Sequence, residues 1–491
     1  MTELVSLNAL AAHAGVEASY IGYDGRQRNV TPDTQRVLLA ALGYDASSET
    51  RAAQTLAELQ AGSTGGVLAP VSVLTAGAPG HPRIEVQLGA HEHGDARYEL
   101  RLQLEDGRVY ESSGHAHAQP RLTLPLPERA ELPFGYHQLR CVLELHGRSV
   151  ESEQTLIVTP GRCLGVSELV GGRRALGLWT HLYSLRSIEG WGIGDLRDLR
   201  ALLAWAGNHG LEMVGINPLH AVDERAPEVN PYYSLSRLYR SPLYLDVEAV
   251  IEAVGSHAAA LLLRDPGLQA QRAELQQRAH IDYAAVHALK LPVLRAAQRD
   301  FVQRERVQPS ALGRELESFR AREGDALEQF ARFCTIRDRL RKRDPAAADF
   351  RTWPAALRDS HGPAVAEFCE ADSETVDFHA FLQFQLEQQL RECRRQARSA
   401  GMAIGIYGDL ALGDSPSSAD IWAEPERYAR GASVGAPPDA YSDTGQGWGL
   451  VPLHPLRMRA EGYRGFVALV RRAFRQMGML RIDHVMGLCR Q

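Results

Sequence analysis

From about Leu164 onward, short apolar runs alternate with segments of helical period, and this order constrains the fold more than any other feature. Ala175-Leu176-Gly177-Leu178-Trp179 is the first run, followed by a helix in which Leu196, Leu199, Leu203 and Ala206 form one stripe. Met213-Val214-Gly215-Ile216 is the second run. Residues 250 to 400 are mostly helical and charged, and close on Leu382, Leu386, Leu390, Cys393 and Ala397 at helical spacing. Ala403-Ile404-Gly405-Ile406-Tyr407 is the third run. Phe466, Val470, Phe474 and Met477 mark another helix, stopped by Gly478, and Met479-Leu480-Arg481-Ile482-Asp483 is the fourth run. Repeated β-then-α order predicts an α/β fold with a parallel sheet and right-handed crossovers.

The N-terminal part has other periods. Residues 1 to 62 read as a small helical unit, with Leu7, Leu10, Ala11 and Ala14 on one face. Thr31 before Pro32 is an N-cap with Pro at the first helical position, Val37, Leu38 and Leu42 follow, and Gly43 ends that helix. Gly62 to Gly66 is a linker. After it the period is two: Ile84, Val86 and Leu88; then Tyr98, Leu100, Leu102 and Leu104; then Leu122, Leu124 and Leu126. Short alternating strands with Gly and Pro turns predict an antiparallel β-sandwich over 67–160. His91 with His93, and His115 with His117, are i, i+2 pairs that read as solvated and not as a metal site.

Several function classes are excluded by composition. A net charge of −6 gives no electrostatic footprint for nucleic acid or an anionic membrane. No apolar run approaches the length of a membrane span. The first twenty residues lack a basic start and an apolar core, so no secretory leader is expected. Six scattered cysteines without a CxxC pair predict reduced thiols and a cytoplasmic protein.

In a β/α barrel the chemistry sits just beyond the C-terminal ends of the strands. His181, Asn217 and Asp409 occupy those positions for the first three runs, and Arg481, Asp483 and His484 for the fourth. Side chains alternate along a strand, so Arg481 and Asp483 share a face while Ile482 points away. A guanidinium beside a carboxylate favours the ionised form, which a covalent glycosidic nucleophile requires; an ordinary ion pair at a strand end has the same spacing. Residues 435–455 show neither helical nor strand period and read as a long loop carrying Asp439, Tyr441, Gln446 and Trp448, a composition suited to covering a sugar. Asn230-Pro231-Tyr232-Tyr233 offers a second aromatic platform or a core Tyr pair. Gly190 to Gly194 lacks a phosphate-loop spacing, and Asp195 is better read as an N-cap with Asp198 in the first turn.

Taken together and in order, these segments resemble the bacterial amylomaltases, or 4-α-glucanotransferases. The resemblance is carried by Gly192-Ile193-Gly194-Asp195-Leu196, Asn230-Pro231-Tyr232, Ile281-Asp282-Tyr283 with Lys290, Gly408-Asp409-Leu410, Ser418-Ala419-Asp420-Ile421-Trp422-Ala423, Gly435-Ala436-Pro437-Pro438-Asp439 with Gly445-Gln446 and Trp448-Gly449, and Leu480-Arg481-Ile482-Asp483-His484. It covers essentially the whole chain, the N-terminal regions resembling the extension of the longer maltose-system members. It implies a (β/α)₈ barrel over 164–491 with a helical insertion at about 250–400. It implies transfer of a 1,4-α-glucan segment between maltooligosaccharides or to glucose by a retaining mechanism, without metal or organic cofactor. By position, Asp483 is the implied nucleophile and Arg481 its orienting partner. Tyr232, Asp409 and His484 are implied at the donor sugar, and Asp439, Gln446 and Trp448 in a covering loop.

Three departures from the family pattern stand out. Asn230 replaces a usual Ser, and Val451-Pro452 replaces a Pro pair. The family's acid/base Glu and a second Asp lie on later strands, whereas Gln491 is eight residues beyond Asp483. The expectation is therefore a truncated barrel encoding about four strands, with no residue to receive the acid/base role and little or no transfer. A non-catalytic glucan-binding fragment and an α-glucan hydrolase on a related barrel are the alternatives.

Overall fold

The computed structural model describes residues 4–62, 67–77, 81–89, 92–127 and 132–489. The linker residues 63–66 and His91 lie outside them. The chain divides into two compact units, one of residues 1–165, 437–445 and 453–467, the other of residues 166–436, 446–452 and 468–491.

In the first unit, helix α1 (Val5–His13), a small hairpin of β1 (Ser19–Ile21) and β2 (Gln27–Asn29), α2 (Pro32–Ala41) and α3 (Glu49–Gly62) come first. The Thr31 hydroxyl accepts from Thr34 N at 3.2 Å, so the cap forms as expected. The buried residues of α2 are Gln35 and Leu39, while Val37 is 58% exposed. The β-rich region has β3 (Val71–Thr75), β4 (Arg83–Gln87), β5 (Gly94–Gln103), β6 (Val109–Ala118), β7 (Arg121–Pro125), β8 (Gly135–Leu145) and β9 (Arg148–Thr159). Five strands pair in the order β3-β9-β8-β5-β6, and β4 pairs with β7. The alternating residues Ile84, Val86, Tyr98, Leu100, Leu102, Leu104, Leu122, Leu124 and Leu126 are all buried between these sheets. One pairing departs from the antiparallel expectation: β3 runs parallel to β9. His93, His115 and His117 are exposed.

The second unit contains β10 (Gly177–Thr180), β11 (Met213–Ile216), the hairpin β12 (His220–Ala221) with β13 (Ser236–Arg240), β14 (Gly405–Leu410), the hairpin β15 (Val434–Ala436) with β16 (Gln446–Leu450), and β17 (Met479–Ile482). β10, β11, β14 and β17 form one sheet in that order, every neighbouring pair parallel, as the β-then-α order predicted. Two faces follow from the alternation of side chains. Val214, Ile216 and Ile406 pack into the core with the stripe Leu196, Leu199, Leu203 and Ala206 of helix Leu196–Asn208, and with Leu382, Leu386, Leu390, Cys393 and Ala397 of helix Ser373–Ser399. The opposite face carries Trp179 and Tyr407, edge to face at 5.4 Å, and beyond them the polar strand ends. Gly215 lies between these rings, and a Cβ there would run into the Trp179 indole. Helices fill most of 247–399, with a second core around Phe330, Phe333, Trp353 and Trp422.

Two local expectations need correcting. The segment read as loop at 435–455 contains the β15–β16 hairpin, whose strands are rich in glycine and so show no side-chain period. The helix before β17 spans Arg464–Phe474 and buries Leu469 and Ala473, leaving Phe474 45% exposed. Its stripe is therefore not the Phe466-Val470-Phe474 series.

Candidate active site

Asp409 on β14 and Arg481 on β17 are register partners, so the two side chains leave neighbouring strands side by side on the site face. Arg481 Nη1 donates to both Asp409 oxygens at 2.8 Å. Its Nη2 donates to Asp483 Oδ1 at 2.6 Å. One guanidinium thus holds two carboxylates, one on each nitrogen. Burial works against the Arg481 charge, but Asp409 and Asp483 outweigh it and hold the guanidinium above its ordinary value. Asp483 is itself fixed by its backbone, which donates to Leu410 O at 3.0 Å.

Tyr232 completes the cluster from the segment after β11. Its hydroxyl donates to Asp409 Oδ2 at 2.5 Å and lies 3.4 Å from Arg481 Nη1. Burial, then Asp409, push its phenol well above the usual range, so it keeps the proton that it donates. Asn230 sets the turn that carries it: Asn230 Oδ1 accepts from Tyr232 N at 2.9 Å, and Asn230 O accepts from Tyr233 N at 3.0 Å. A Ser would serve the same turn with its hydroxyl. Tyr233 is 43% exposed, so the two tyrosines are not a core-packed pair. The Asp409 side chain is fully covered by these partners, whereas 28% of the Asp483 side chain is open.

His484 follows Asp483 with φ 44° and ψ 53°, a left-handed conformation that turns the chain sharply after β17. The Trp448 ring of β16 meets His484 edge to face at 4.9 Å. Trp448 Nε1 donates to Gln446 Oε1 at 3.1 Å. Tyr232, Asp409, Arg481 and Asp483 are therefore brought into one bonded cluster, and Gln446, Trp448 and His484 into a second group within the same unit. Asp439 belongs to the first unit, where its carboxylate accepts from Tyr441 N and Ser442 N at 2.8 Å and closes its own turn.

Asp195 caps helix Leu196–Asn208, as read from the sequence, and Asp198 in its first turn completes a capping box. Lys290 is 2% exposed and binds Asp195 Oδ2, Leu243 O and Leu245 O at 2.7–3.1 Å. Its chemistry is internal.

A supporting network escaped the sequence reading. Arg237, buried on β13, donates to Asp414 Oδ2 at 2.9 Å and to Leu412 O at 2.7 Å. Asp414 also accepts from Ser234 Oγ at 3.1 Å and Tyr428 OH at 3.0 Å. This ties the segment carrying Tyr232 to the segment that follows Asp409. The available signal was Arg237 itself, a cation inside the otherwise apolar alternation Leu235-x-x-Leu238-Tyr239. Among the described residues, no group of three or more His, Cys, Asp or Glu side chains is arranged to hold a metal ion.

Known proteins resemble the chain in sequence and in fold. Residues 180–491 match the 4-alpha-glucanotransferase family model, and residues 67–160 match the MalQ N-terminal beta sandwich domain. The chain is 36% identical to a 4-alpha-glucanotransferase of Mycobacterium tuberculosis over all of its length and 67% of that protein. It is 32% identical to a 4-alpha-glucanotransferase of Haemophilus influenzae, over 73% of this chain and 51% of that one. The crystal structure of amylomaltase from Corynebacterium glutamicum superposes with a TM-score of 0.77 at 30% identity, covering 99% of this chain and 66% of its own. The chain thus spans about half to two thirds of the length of these relatives.

Proposed function

We propose, from the premise that the chain belongs to the 4-α-glucanotransferase family, that its site forms a covalent glycosyl-enzyme on Asp483 from 1,4-α-glucan donors. The observation that carries this is Arg481 gripping Asp483 through one nitrogen and the buried Asp409 through the other. That grip holds an open carboxylate oxygen in fixed orientation, as a nucleophile in a retaining displacement needs. Tyr232, anchored by its hydroxyl, presents its ring to the donor sugar, and Asp409 and His484 complete that subsite. Gln446 and Trp448 cover the glucan, so that a sugar hydroxyl and not water accepts the glycosyl group. In this reading, residues 1–62 are a helical unit, 67–160 a sandwich, and β10, β11, β14 and β17 are the first four strands of a (β/α)₈ barrel over 164–491. The six cysteines are free, which suits the cytoplasm.

Retaining transfer also needs a proton for the leaving oxygen. Both carboxylates of the cluster are held by Arg481, and neither is assigned that role. An α-maltosyl fluoride removes the requirement, because fluoride leaves without protonation. Incubated with the chain, it should glycosylate Asp483, read as a maltosyl increment in intact mass and mapped by peptide sequencing. Asp483→Asn should show no adduct, and Arg481→Ala should slow labelling by about a hundredfold. Maltotriose should give little or no ladder of longer glucans. Labelling that persists in Asp483→Asn would overturn the assignment.

A further inference from the structure

Tyr233 is held more firmly than an exposed ring requires. Its backbone N donates to Asn230 O at 3.0 Å. The next residue, Ser234, bridges to Asp414, which bridges in turn to Val451 just beyond β16. Ser234 Oγ also donates to Asp414 Oδ1 at 3.1 Å. The backbone on both sides of Tyr233 is therefore pinned, yet the residue is 43% exposed. An aromatic face presented on fixed backbone loses little conformational entropy when a ligand covers it. The ring lies against β16, where Gly449 has φ 70° and a Cβ built on it would stand 3.8 Å from Tyr233 Cε2. With no side chain at 449, that residue leaves the ring open. Trp448, the neighbour of Gly449, meets His484, and Tyr232, the neighbour of Tyr233, bonds Asp409. Tyr233 is thus one residue removed, on two segments, from the groups around Asp483.

A planar polar pair comes from the helical insertion. The turn Phe350–Thr352 is anchored by Phe350, whose ring meets Phe333 and Trp353 of the second core. Arg351 Nε donates to Asp349 Oδ1 and Oδ2 at 2.9 and 3.0 Å, and Nη2 donates to Oδ2 at 2.5 Å. This fork is fixed in its plane while 58% of the Arg351 side chain is open. Burial raises the Tyr233 phenol above its ordinary value, Arg351 opposes that shift and Asp349 adds to it, so the fork acts on that hydroxyl. We propose that Tyr233 and the Arg351–Asp349 fork form an outer glucosyl subsite, which takes a glucose unit of a 1,4-α-glucan beyond the unit held at Asp483. The subsite rests on the reading of the Asp483 cluster as a glucan site. A pyranose offers an apolar C–H face and a rim of hydroxyls, and an aromatic face edged by a guanidinium and a carboxylate matches both. Its consequence is a preference for longer glucans over maltose.

Calorimetry with maltose and with maltohexaose reads the subsite on the 491-residue chain. Maltohexaose should bind about tenfold tighter than maltose. Tyr233→Ala should weaken maltohexaose binding about fivefold and maltose binding less, so that the ratio of the two affinities falls. Tyr233→Phe keeps the ring and should keep most of that ratio, a rescue that a general loss of structure would not give. Arg351→Ala should weaken maltohexaose binding about threefold. Labelling of Asp483 by α-maltosyl fluoride, run on the same proteins, reads the proposed function separately. If Asp483 is labelled but the parent, Tyr233→Ala and Arg351→Ala bind maltohexaose equally, the subsite is overturned and the nucleophile assignment stands. A ratio that depends on Tyr233 without labelling of Asp483 supports the subsite and overturns the nucleophile.

Discussion

Asp420 carries no cation on its own oxygens. It accepts from Ser236 Oγ at 2.7 Å and from Arg237 N at 3.0 Å. Burial, then the neighbouring Asp414, push its carboxyl up to about 7 from an ordinary 3.8. Between those values the folded chain holds a proton that the unfolded chain has released. The folded state binds more protons there, so this group's contribution to stability falls as pH rises from about 4 to about 7. Urea unfolding across that window should show a downward slope that Asp420→Asn flattens, on the order of a few kcal/mol in total. Identical slopes would place the titration elsewhere. Asn230 makes a simpler case. Asn230→Ser keeps an acceptor for Tyr232 N and should leave stability within about 0.5 kcal/mol. Asn230→Ala removes the acceptor and should cost about 1 kcal/mol in chemical denaturation while slowing Asp483 labelling.

β17 is the element on which the site depends, and its start is tightly constrained. Gly478 N donates to Ile406 O at 2.9 Å, opening the pairing with β14. A Cβ on Gly478 would collide with the Ile404 carbonyl, which is backbone and cannot rotate away. Gly478→Ala should therefore destabilise the chain by about 1–3 kcal/mol and displace Arg481 from Asp409. An unfolding midpoint equal to the parent's would contradict this. β17 was also the most legible element, because alternation alone put Arg481 and Asp483 on one face. The parallel order of β10, β11, β14 and β17 was legible from apolar runs separated by helical stripes. The β15–β16 hairpin was not, since Gly435 and Gly447 pair through backbone, Gly449 lies in a bulge, and none of them leaves a side-chain period. The β3–β9 pairing was hidden by its sequence separation. The cluster's polar members were found from strand ends, while the Arg237–Asp414 pair was missed because the cation on β13 shows locally but its partner lies far along the chain.

At the scale of the whole molecule, the second unit presents a parallel sheet whose site face is only partly covered. Among the described residues, β10 and β17 each pair on one side only. Parallel sheets are normally buried on both faces, and an unpaired edge is a template for another chain. Exposed apolar groups lie at both of these edges: Leu178 and Trp179 on β10, at 38% and 45%, and Val485, Met486 and Leu488 just after β17, at 56%, 65% and 52%. Scattered exposed hydrophobes are ordinary, but a series beside an open sheet edge is a surface that seeks cover. The chain in dilute solution should therefore self-associate with rising concentration, and should enhance the fluorescence of an apolar dye. Sedimentation velocity over a concentration series measures the first, and dye titration the second. Val485→Lys with Met486→Glu, both exposed, should reduce association without lowering the unfolding midpoint, because neither contributes to a buried core. A chain that sediments as a monomer throughout and binds no dye would mean that these edges are already satisfied.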